Sequence, residues 1–239
     1  MKFLLTAINA KFIHSNPAIY SLRAGVGEKL QPYVELAEFT INESLESILE
    51  GIWKRQPKVI GFSCYIWNWK LIREILTELP KILPDTEIWL GGPEVTYDGP
   101  GLLREFPQVT GIMVGEGEVT FREVLDHYVR EAESTGQSEQ QPEPDSIEQQ
   151  AADRTGTLAG KSVAERFGQI PGLCLASGYT APRELTDLTT LPFLYEDMEP
   201  FTNRIIYYET SRGCPYRCSY CLSSICLLYT SPSPRDRSL

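Results

Sequence analysis

Three cysteines stand close together near the end of the sequence, within the run Glu209-Thr-Ser-Arg-Gly-Cys-Pro-Tyr-Arg-Cys-Ser-Tyr-Cys221. Cys214, Cys218 and Cys221 form a C-x-x-x-C-x-x-C pattern. Thiolates this close cannot all pair as disulfides, but they can converge on one soft metal centre. Three ligands on a cubane cluster of four irons would leave one iron open to a substrate or cofactor. The spacing therefore predicts an iron–sulfur cluster.

A structural zinc site is the main alternative for the triplet, and such a site normally closes with four ligands. Cys226 could be the fourth ligand only if the end of the chain is native. Cys64 and Cys174 lie far away in apolar runs, and we interpret them as buried small hydrophobic residues. Free thiols beside a metal-binding triplet indicate a reducing compartment, so we expect a cytoplasmic protein.

The segment 226–239 resembles a sequencing artefact. It can be back-translated into a DNA sequence that matches the transposon end and adapter used in sequencing-library preparation. We therefore interpret 226–239 as translated adapter, exclude it from the fold, and expect the natural chain to continue beyond Ile225. An ordinary Ser/Pro-rich tail is the alternative interpretation.

The cysteine run resembles the signature of the radical S-adenosylmethionine (radical SAM) enzymes, including Tyr220 directly before the third cysteine. The resemblance implies that Cys214, Cys218 and Cys221 hold a 4Fe–4S cluster whose open iron binds S-adenosylmethionine. One electron from the cluster would then cleave the sulfonium and start radical chemistry. Residues 204–225 are accordingly expected to be the truncated start of a partial βα barrel, with Ile205–Tyr208 as a short strand.

Composition limits the function classes. The formal net charge is −10, which argues against nonspecific nucleic-acid binding through a basic face. The hydrophobic content of 42% is sufficient for a globular core. The apolar run after Lys2 is too short for a signal-peptide core or a membrane span, so we expect no membrane partner.

Residues 1–130 alternate between buried-type strands and amphipathic helices. Strands are predicted at Lys2–Ile8, Tyr33–Thr40, Val59–Cys64, Glu87–Gly91 and Gly111–Gly115; helices are predicted at Pro17–Leu30, Asn42–Arg55, Trp67–Leu83 and Glu118–Arg130. Asn16 and Asn42 are the predicted N-caps. This alternation predicts an α/β fold with a doubly wound parallel five-stranded sheet, flavodoxin-like or Rossmann-like.

In such sheets ligands lie beyond the carboxyl ends of the strands. The loops Gly91-Gly-Pro93 and Gly115-Glu-Gly117 follow the fourth and fifth strands there. Together with the cysteine triplet downstream, they resemble the cobalamin-binding domain of the cobalamin-dependent radical SAM enzymes. The resemblance implies that Gly91, Gly92, Pro93, Gly115, Glu116 and Gly117 contact cobalamin. Ordinary strand-to-helix turns remain the alternative for each loop.

Two further features bear on the cofactor. The loop after the first strand contains His14 but lacks the D-x-H-x-x-G pattern of many cobalamin domains, so we expect cobalamin to bind without a protein histidine on cobalt. Tyr65, Trp67 and Trp69 form an aromatic cluster after the third strand. They are interpreted either as a cover for an apolar face of the corrin or its nucleotide tail, or as core and helix-start packing, since buried aromatic residues serve both purposes.

The remaining residues divide into an insertion and a connector. Residues 131–168 are predicted to be an acidic disordered insertion, because this stretch is rich in Gln, Ser, Pro and Glu and poor in apolar residues. Residues 169–203 are predicted to connect to the barrel, beginning with a strand and turn at Ile170–Gly178.

These observations predict the N-terminal fragment of a cobalamin-dependent radical SAM enzyme that acts on a small-molecule or other unknown substrate, with methyl transfer to an unactivated carbon as one outcome. An electron donor such as flavodoxin or ferredoxin is the expected partner. The fragment alone is expected to be inactive, and the sequence assigns no catalytic residue. The alternative is a non-catalytic module of flavodoxin-like fold that binds cobalamin, another nucleotide or a flavin.

Overall fold

The computed structural model describes residues 1–12, 14–135, 162–195, 197–209, 211–212 and 229–230. Within these ranges one sheet contains the strands β1 (Phe3–Asn9), β2 (Val34–Thr40), β3 (Val59–Ser63), β4 (Glu87–Gly91), β5 (Val109–Met113), β6 (Leu173–Leu175) and β7 (Gly178–Tyr179). Their order across the sheet is β2-β1-β3-β4-β5-β6-β7. A separate pair of short antiparallel strands is formed by β8 (Ser211–Arg212) and β9 (Tyr229–Thr230).

The helices of the described residues are α1 (Pro17–Gly25), α2 (Leu45–Trp53), α3 (Trp69–Ile82), α4 (Gly99–Glu105), α5 (Gly117–Thr135) and α6 (Val163–Phe167). Short 3₁₀ turns occur at Gln31–Tyr33, Leu188–Thr190 and Glu199–Phe201. No helix in the part of the chain that the structure describes is both long enough and apolar enough to cross a membrane.

The five strands β1–β5 pair in parallel, as the alternation of strands and helices predicts. The sheet is wider than predicted because β6 and β7 extend it beyond β5 in antiparallel orientation. The amide of Val114 donates to the carbonyl of Gly172 at 2.8 Å, which joins the returning chain to the open edge of β5. The strand and turn predicted near Ile170–Gly178 are therefore correct, and they belong to the main sheet.

The core lies in two layers, one on each face of the sheet. Helices α2, α3 and α4 cover one face with residues such as Ile48, Ile72 and Leu103. Helices α1, α5 and α6 cover the other face, where Ile19 and Phe121 are buried. Burial on both faces explains why the parallel strands are almost continuously apolar.

One predicted helix cap is wrong, and the other is correct in its position only. Helix α2 begins after Ser44, whose hydroxyl accepts a hydrogen bond from the amide of Ser47 at 3.2 Å, and not after Asn42. Asn16 does precede α1, but its side chain makes no capping hydrogen bond. Helix α4 was missed, although Asp98 and Pro100 carry the usual start signal: the Asp98 carboxylate accepts from the Gly101 amide at 3.2 Å.

The predicted boundaries of the insertion are also wrong at both ends. Helix α5 continues to Thr135, and α6 forms at Val163–Phe167 inside the range assigned to disorder. The α6 side chains find partners on distant elements: Phe167 is fully buried, and Arg166 forms ion pairs with Glu87 at 3.0 Å and with Glu131 at 2.7 Å. A composition average cannot detect such long-range partners. Residues 136–161 lie outside the described residues.

The short strand predicted at Ile205–Tyr208 is wrong as well. Only Ile205 forms an isolated bridge, with His14, and the next residues have no regular structure. Among the described residues no strand lies beside Tyr207 and Tyr208 with which their backbone could form a sheet.

Candidate functional site

The carboxyl ends of β1–β5 form one edge of the sheet, which we call the carboxyl edge. Strand β1 pairs with both β2 and β3, so the strand order changes direction between β1 and β3. Ligands of open α/β sheets bind at such an edge. The loops that line it are residues 10–16, 64–68, 92–98 and 114–116.

Asn68 holds the two central strands together at this edge. Its side-chain amide donates to the carbonyls of Ile8 at 3.0 Å and Ser63 at 2.9 Å, and its side-chain oxygen accepts from the Tyr65 amide at 2.8 Å. The residue is completely buried. Asn68 therefore fixes the loop after β3 against the ends of β1 and β3.

A second polar group fills the space between β1, β2 and α1. The Asn16 side-chain amide donates to Asn9 at 3.3 Å and to the Ser63 hydroxyl at 3.4 Å, while Asn9 donates to a Glu38 oxygen at 2.9 Å. Asn16 is turned toward these partners, which explains why it does not cap α1. The point where the strand order changes is therefore occupied by the protein's own side chains.

Glu38 is the charged centre of this group. Its carboxylate accepts from the Tyr20 hydroxyl at 2.7 Å and pairs with Arg204 at 2.5 Å. Burial by itself would raise the pKa of Glu38, but the hydrogen bonds from Arg204, Tyr20 and Asn9 outweigh it and lower the pKa. The same burial, together with Glu38, raises the pKa of Tyr20. Glu38 is thus held ionised and anchors the segment that contains Arg204.

Tyr65 and Trp67 stack face to face, with ring centroids 4.4 Å apart and an angle of 7° between the rings. Trp67 is 47% exposed, so the core-packing interpretation fails for this residue. The neighbouring Trp69 takes the core position instead, packed edge-on against Phe106. The stacked pair leaves an aromatic surface on the carboxyl edge.

Other apolar side chains on this edge are exposed too. Phe12 in the loop after β1 is 77% exposed, Ile66 is 81% exposed, and Tyr97 after β4 is 60% exposed. Single exposed apolar residues need no explanation, but several on one edge indicate a binding surface for an apolar or flat partner.

The predicted glycine loops have different structural roles. Gly91 ends β4, and Pro93 is exposed beside it. Gly92 has φ +107°, and a Cβ on it would lie 2.5 Å from the carbonyl oxygen of Cys64. The chain itself therefore requires glycine at this position.

Gly115 differs from Gly92 in what surrounds it. Its φ is +80°, it is exposed, and no described heavy atom lies within 4 Å of an added Cβ. Gly117 begins α5, where a Cβ would lie 3.0 Å from the Leu22 side chain. Of the predicted glycine contacts, Gly115 is thus the one whose missing side chain leaves free space on the carboxyl edge.

The start of α5 carries two carboxylates with defined partners. Glu118 is 5% exposed, accepts from the Ser21 hydroxyl at 2.9 Å and pairs with Arg212 at 2.8 Å. Burial alone would raise the pKa of Glu118, but Arg212 outweighs it and lowers the pKa. Glu116 accepts from the Thr186 amide at 2.5 Å and lies 3.6 Å from Arg212. Glu116 is therefore engaged by the protein itself.

His14 lies in the loop after β1, where its Nδ1 is hydrogen-bonded to the Tyr207 hydroxyl and its ring stacks on Tyr207 with centroids 5.5 Å apart. His14 is therefore engaged by Tyr207 of the protein itself.

The predicted cluster ligands Cys214, Cys218 and Cys221 lie outside the described residues. Among the residues that are described, no group of three or more His, Cys, Asp or Glu could hold a metal ion. Cys64 and Cys174 are both free and fully buried, which confirms their interpretation as small core residues.

Sequence reasoning missed Asn68, Glu38 and Glu118 as organisers of this edge. One signal was present for Glu38, which is an acidic residue near the end of a strand with a largely apolar sequence. The partners Arg204 and Arg212 stand 166 and 94 residues away from Glu38 and Glu118, so no local pattern could connect them.

Comparison with known proteins agrees with this geometry. The model of the B12 binding domain family matches residues 4–125. The cobalamin-dependent radical SAM methyltransferase TokK of Streptomyces tokunonensis is 26% identical over 186 residues, which cover 70% of this chain and 22% of that protein. The 2-(S-pantetheinyl)-carbapenam-3-carboxylate methyltransferase of Streptantibioticus cattleyicolor is 28% identical over 189 residues, covering 75% of this chain and 24% of that protein.

A solved structure shows the same fold. OxsB, a cobalamin-dependent S-adenosylmethionine radical enzyme determined with aqua-cobalamin and S-adenosylmethionine bound, superposes with a TM-score of 0.61 at 18% identity. The match covers 91% of this chain and 28% of OxsB, and the chain spans about a quarter of the length of the two curated methyltransferases. The family match favours cobalamin over a flavin or another nucleotide as the ligand of the sheet. Because that match covers more than half of the sequence, the chain belongs to the B12-binding domain family.

Proposed function

We propose that this chain is the N-terminal part of a longer cobalamin-dependent radical SAM methyltransferase. The observation that carries the proposal is the presence, in one chain, of a B12-binding domain at residues 4–125 and of the cysteine triplet at 214–221. The similarity to TokK over 186 residues supports the same combination.

The carboxyl edge suits a corrin in its chemistry. The side-chain amides of Asn9, Asn16 and Asn68 and the Glu38 carboxylate are hydrogen-bonded within the protein, whereas the Tyr65–Trp67 stack and Gly115 present an aromatic surface and bare backbone. Aromatic faces and bare backbone are what a large flat ligand with an apolar face requires. In this proposal Trp67 covers the corrin, Gly115 allows its close approach, and His14 stays off the cobalt.

When bound, the 4Fe–4S cluster with S-adenosylmethionine would supply radical chemistry, and cobalamin would supply a methyl group. Cys214, Cys218 and Cys221 are the proposed cluster ligands because of their spacing alone. An external one-electron donor of the flavodoxin or ferredoxin class belongs to the proposal, as does a small-molecule substrate. The contribution of the described residues is to bind and orient the cofactor.

The first experiment titrates this chain with hydroxocobalamin and follows the visible spectrum. Binding with an unchanged spectrum in His14→Ala is the expected result. Binding of a flavin in preference to cobalamin would contradict the proposal.

The second experiment uses the longer protein, reconstituted with iron and sulfide without oxygen. Cys218→Ala should abolish the 4Fe–4S signal, whereas the matched control Cys174→Ala, a buried cysteine of β6, should keep it. Loss of the signal in both variants would show that the ligand set is wrong. A cluster that never cleaves S-adenosylmethionine would point to the non-catalytic alternative.

A further inference from the structure

Two ion pairs fasten the segment 204–212 to the B12-binding domain. Arg204 pairs with Glu38 at the end of β2, and Arg212 pairs with Glu118 at the start of α5. Both attachment points lie beside helix α1, since Tyr20 donates to Glu38 and Ser21 donates to Glu118. The segment is therefore held at both ends.

Arg212 has the larger set of partners. One of its terminal nitrogens donates to Glu118 at 2.8 Å and to Glu209 at 2.7 Å, and the other donates to Glu118 at 3.3 Å and lies 3.6 Å from Glu116. Three carboxylates thus surround one guanidinium. A planar fork with several donors matches such a set, and a lysine ammonium does not.

The partners of Arg212 are themselves fixed. The Glu118 side chain is 7% exposed and accepts from Ser21 on α1, while Glu116 accepts from the backbone of Thr186 in the connector. Burial would lower the pKa of Arg212, but Glu209 and Glu118 outweigh it and raise the pKa, so the guanidinium stays charged. Helix α1 and the connector are therefore linked to Arg212 through its partners Glu118 and Glu116.

Arg212 lies in the sequence between the B12-binding domain and the cysteine triplet. Arg212 precedes Cys214, the first cysteine of the triplet, by two residues, and Glu116 and Glu118 flank Gly117 directly after the open Gly115. The short pairing of Arg212 with Tyr229 through the backbone does not contribute to these side-chain contacts. One ion-pair cluster hence joins the loop that faces the proposed cobalamin to the residues that lead into the proposed cluster ligands.

We propose that Arg212 is a positioning residue, which holds the start of the cysteine-bearing run on the loop after β5 and so fixes the distance between the cluster and cobalamin. The inference rests on the proposed function. It assigns no chemical step to Arg212, whose effect on the reaction is exerted through the placement of the two cofactors.

The test uses the longer protein with cluster and cobalamin bound, and compares Arg212→Lys and Glu118→Gln with the control Arg183→Lys. Arg183 is a matched control because it is similarly buried and pairs with Glu123 on the same helix α5, but it is not adjacent in sequence to the cysteine triplet. For both test variants we expect unchanged iron and cobalamin content and at least a tenfold slower formation of 5′-deoxyadenosine. We also expect weaker magnetic coupling between cob(II)alamin and the reduced cluster in electron paramagnetic resonance. The control should match the wild type in all four measurements.

Two outcomes would overturn the inference. Wild-type rates and coupling in both test variants would show that the ion pairs do not position the cluster. Loss of iron or cobalamin in proportion to the loss of rate would show a structural role only.

A measurement without cofactors separates this inference from the proposed function. Hydrogen exchange of the amides in 204–212 should accelerate at least tenfold in Arg212→Lys of the chain itself, with α5 unchanged. If the wild-type longer protein bound neither cofactor, the proposed function would fail, but this exchange result would still decide whether Arg212 fastens the segment. Exchange rates in Arg212→Lys equal to those of the wild type would refute the role of Arg212.

Discussion

Replacement of Gly92 by alanine is expected to destabilise the B12-binding domain before it affects any ligand. The added Cβ would lie 2.5 Å from the carbonyl oxygen and 3.0 Å from the amide nitrogen of Cys64. Both are backbone atoms, and they are fixed because the Cys64 amide donates to the Gly91 carbonyl at 2.7 Å. Neither atom can move without breaking the connection between the ends of β3 and β4.

The expected magnitude has two parts. A residue with a Cβ at positive φ is strained by about 1–2 kcal/mol relative to glycine. Forcing an extra carbon into packed surroundings costs a further ~1–3 kcal/mol. Gly92→Ala should therefore lower the free energy of unfolding by about 2–5 kcal/mol, which is a large share of the stability of an ordinary domain.

Gly115→Ala is the matched control, since Gly115 also has positive φ but no described atom within 4 Å of an added Cβ. It should lose only the strain of about 1–2 kcal/mol. Urea denaturation of the chain measures both, and with a slope of about 1–3 kcal/mol per molar the Gly92→Ala midpoint should fall by roughly 1–2 M. Equal midpoints for the two variants would refute the reasoning, because the close approach to Cys64 would then have no energetic consequence.

Three further predictions concern the carboxyl edge. Gly115→Val should weaken hydroxocobalamin binding by at least about tenfold. Gly27→Val is the control, because Gly27 follows the carboxyl end of α1, has φ +76° and has equally open surroundings, and this variant should bind normally. Equal affinities of the two variants would place the ligand elsewhere. His14→Ala should leave the cobalt spectrum unchanged, and a shifted spectrum would identify His14 as a ligand. Glu38 has a lowered pKa, so its stabilisation is present above the unfolded pKa of about 4.3 and is lost as the pH falls through the lower folded value. Glu38→Gln should therefore show a smaller loss of stability between about pH 5 and pH 2 than the wild type, and identical acid unfolding curves would contradict this assignment.

The parallel sheet could be predicted from sequence because its signal is local. Strands β1 and β3 are short apolar runs, and segments with helical periodicity follow β1, β2, β3 and β5, which suffices to predict a doubly wound fold. Predictions that depended on a single side chain were less accurate. Asn16 and Asn42 are both residue types that cap helices. The Asn16 side chain instead forms hydrogen bonds with Asn9 and Ser63, and Ser44 takes the place of Asn42 as the cap of α2.

Elements whose stability comes from distant partners escaped prediction. Helix α6 has only five residues, yet Arg166 lies across the Tyr128 ring at 5.1 Å and pairs with Glu87 and Glu131. Residues 131–168 are predicted to be disordered because the stretch is acidic and too poor in apolar residues to offset the entropy of ordering. The pairing exists only once the fold brings β4, α5 and α6 together.

The candidate site illustrates the same limit at the level of single glycines. Sequence identifies the loops after β4 and β5, since both are rich in glycine, but it treats Gly92 and Gly115 alike. In the structure Gly92 makes room for the backbone of Cys64, whereas no described atom lies within 4 Å of a Cβ added at Gly115. The difference arises from the register of β3 against β4, which sequence alone does not specify.

The polar groups of the carboxyl edge and its open surface have complementary roles. Asn68, Asn16 and Glu38 fill the region where the strand order changes, and their hydrogen bonds would have to be broken before a ligand could enter there. The exposed Trp67 ring and Gly115 lie in the loops after β3 and β5, and no described atom lies within 4 Å of a Cβ added at Gly115. A corrin placed over β3–β5 would then lie beside Glu116 and Glu118, whose partner Arg212 leads into the cysteine run. In the proposed arrangement, the hydrogen-bonded half of the edge would leave the cofactor the half that carries Gly115, next to the carboxylate partners of Arg212.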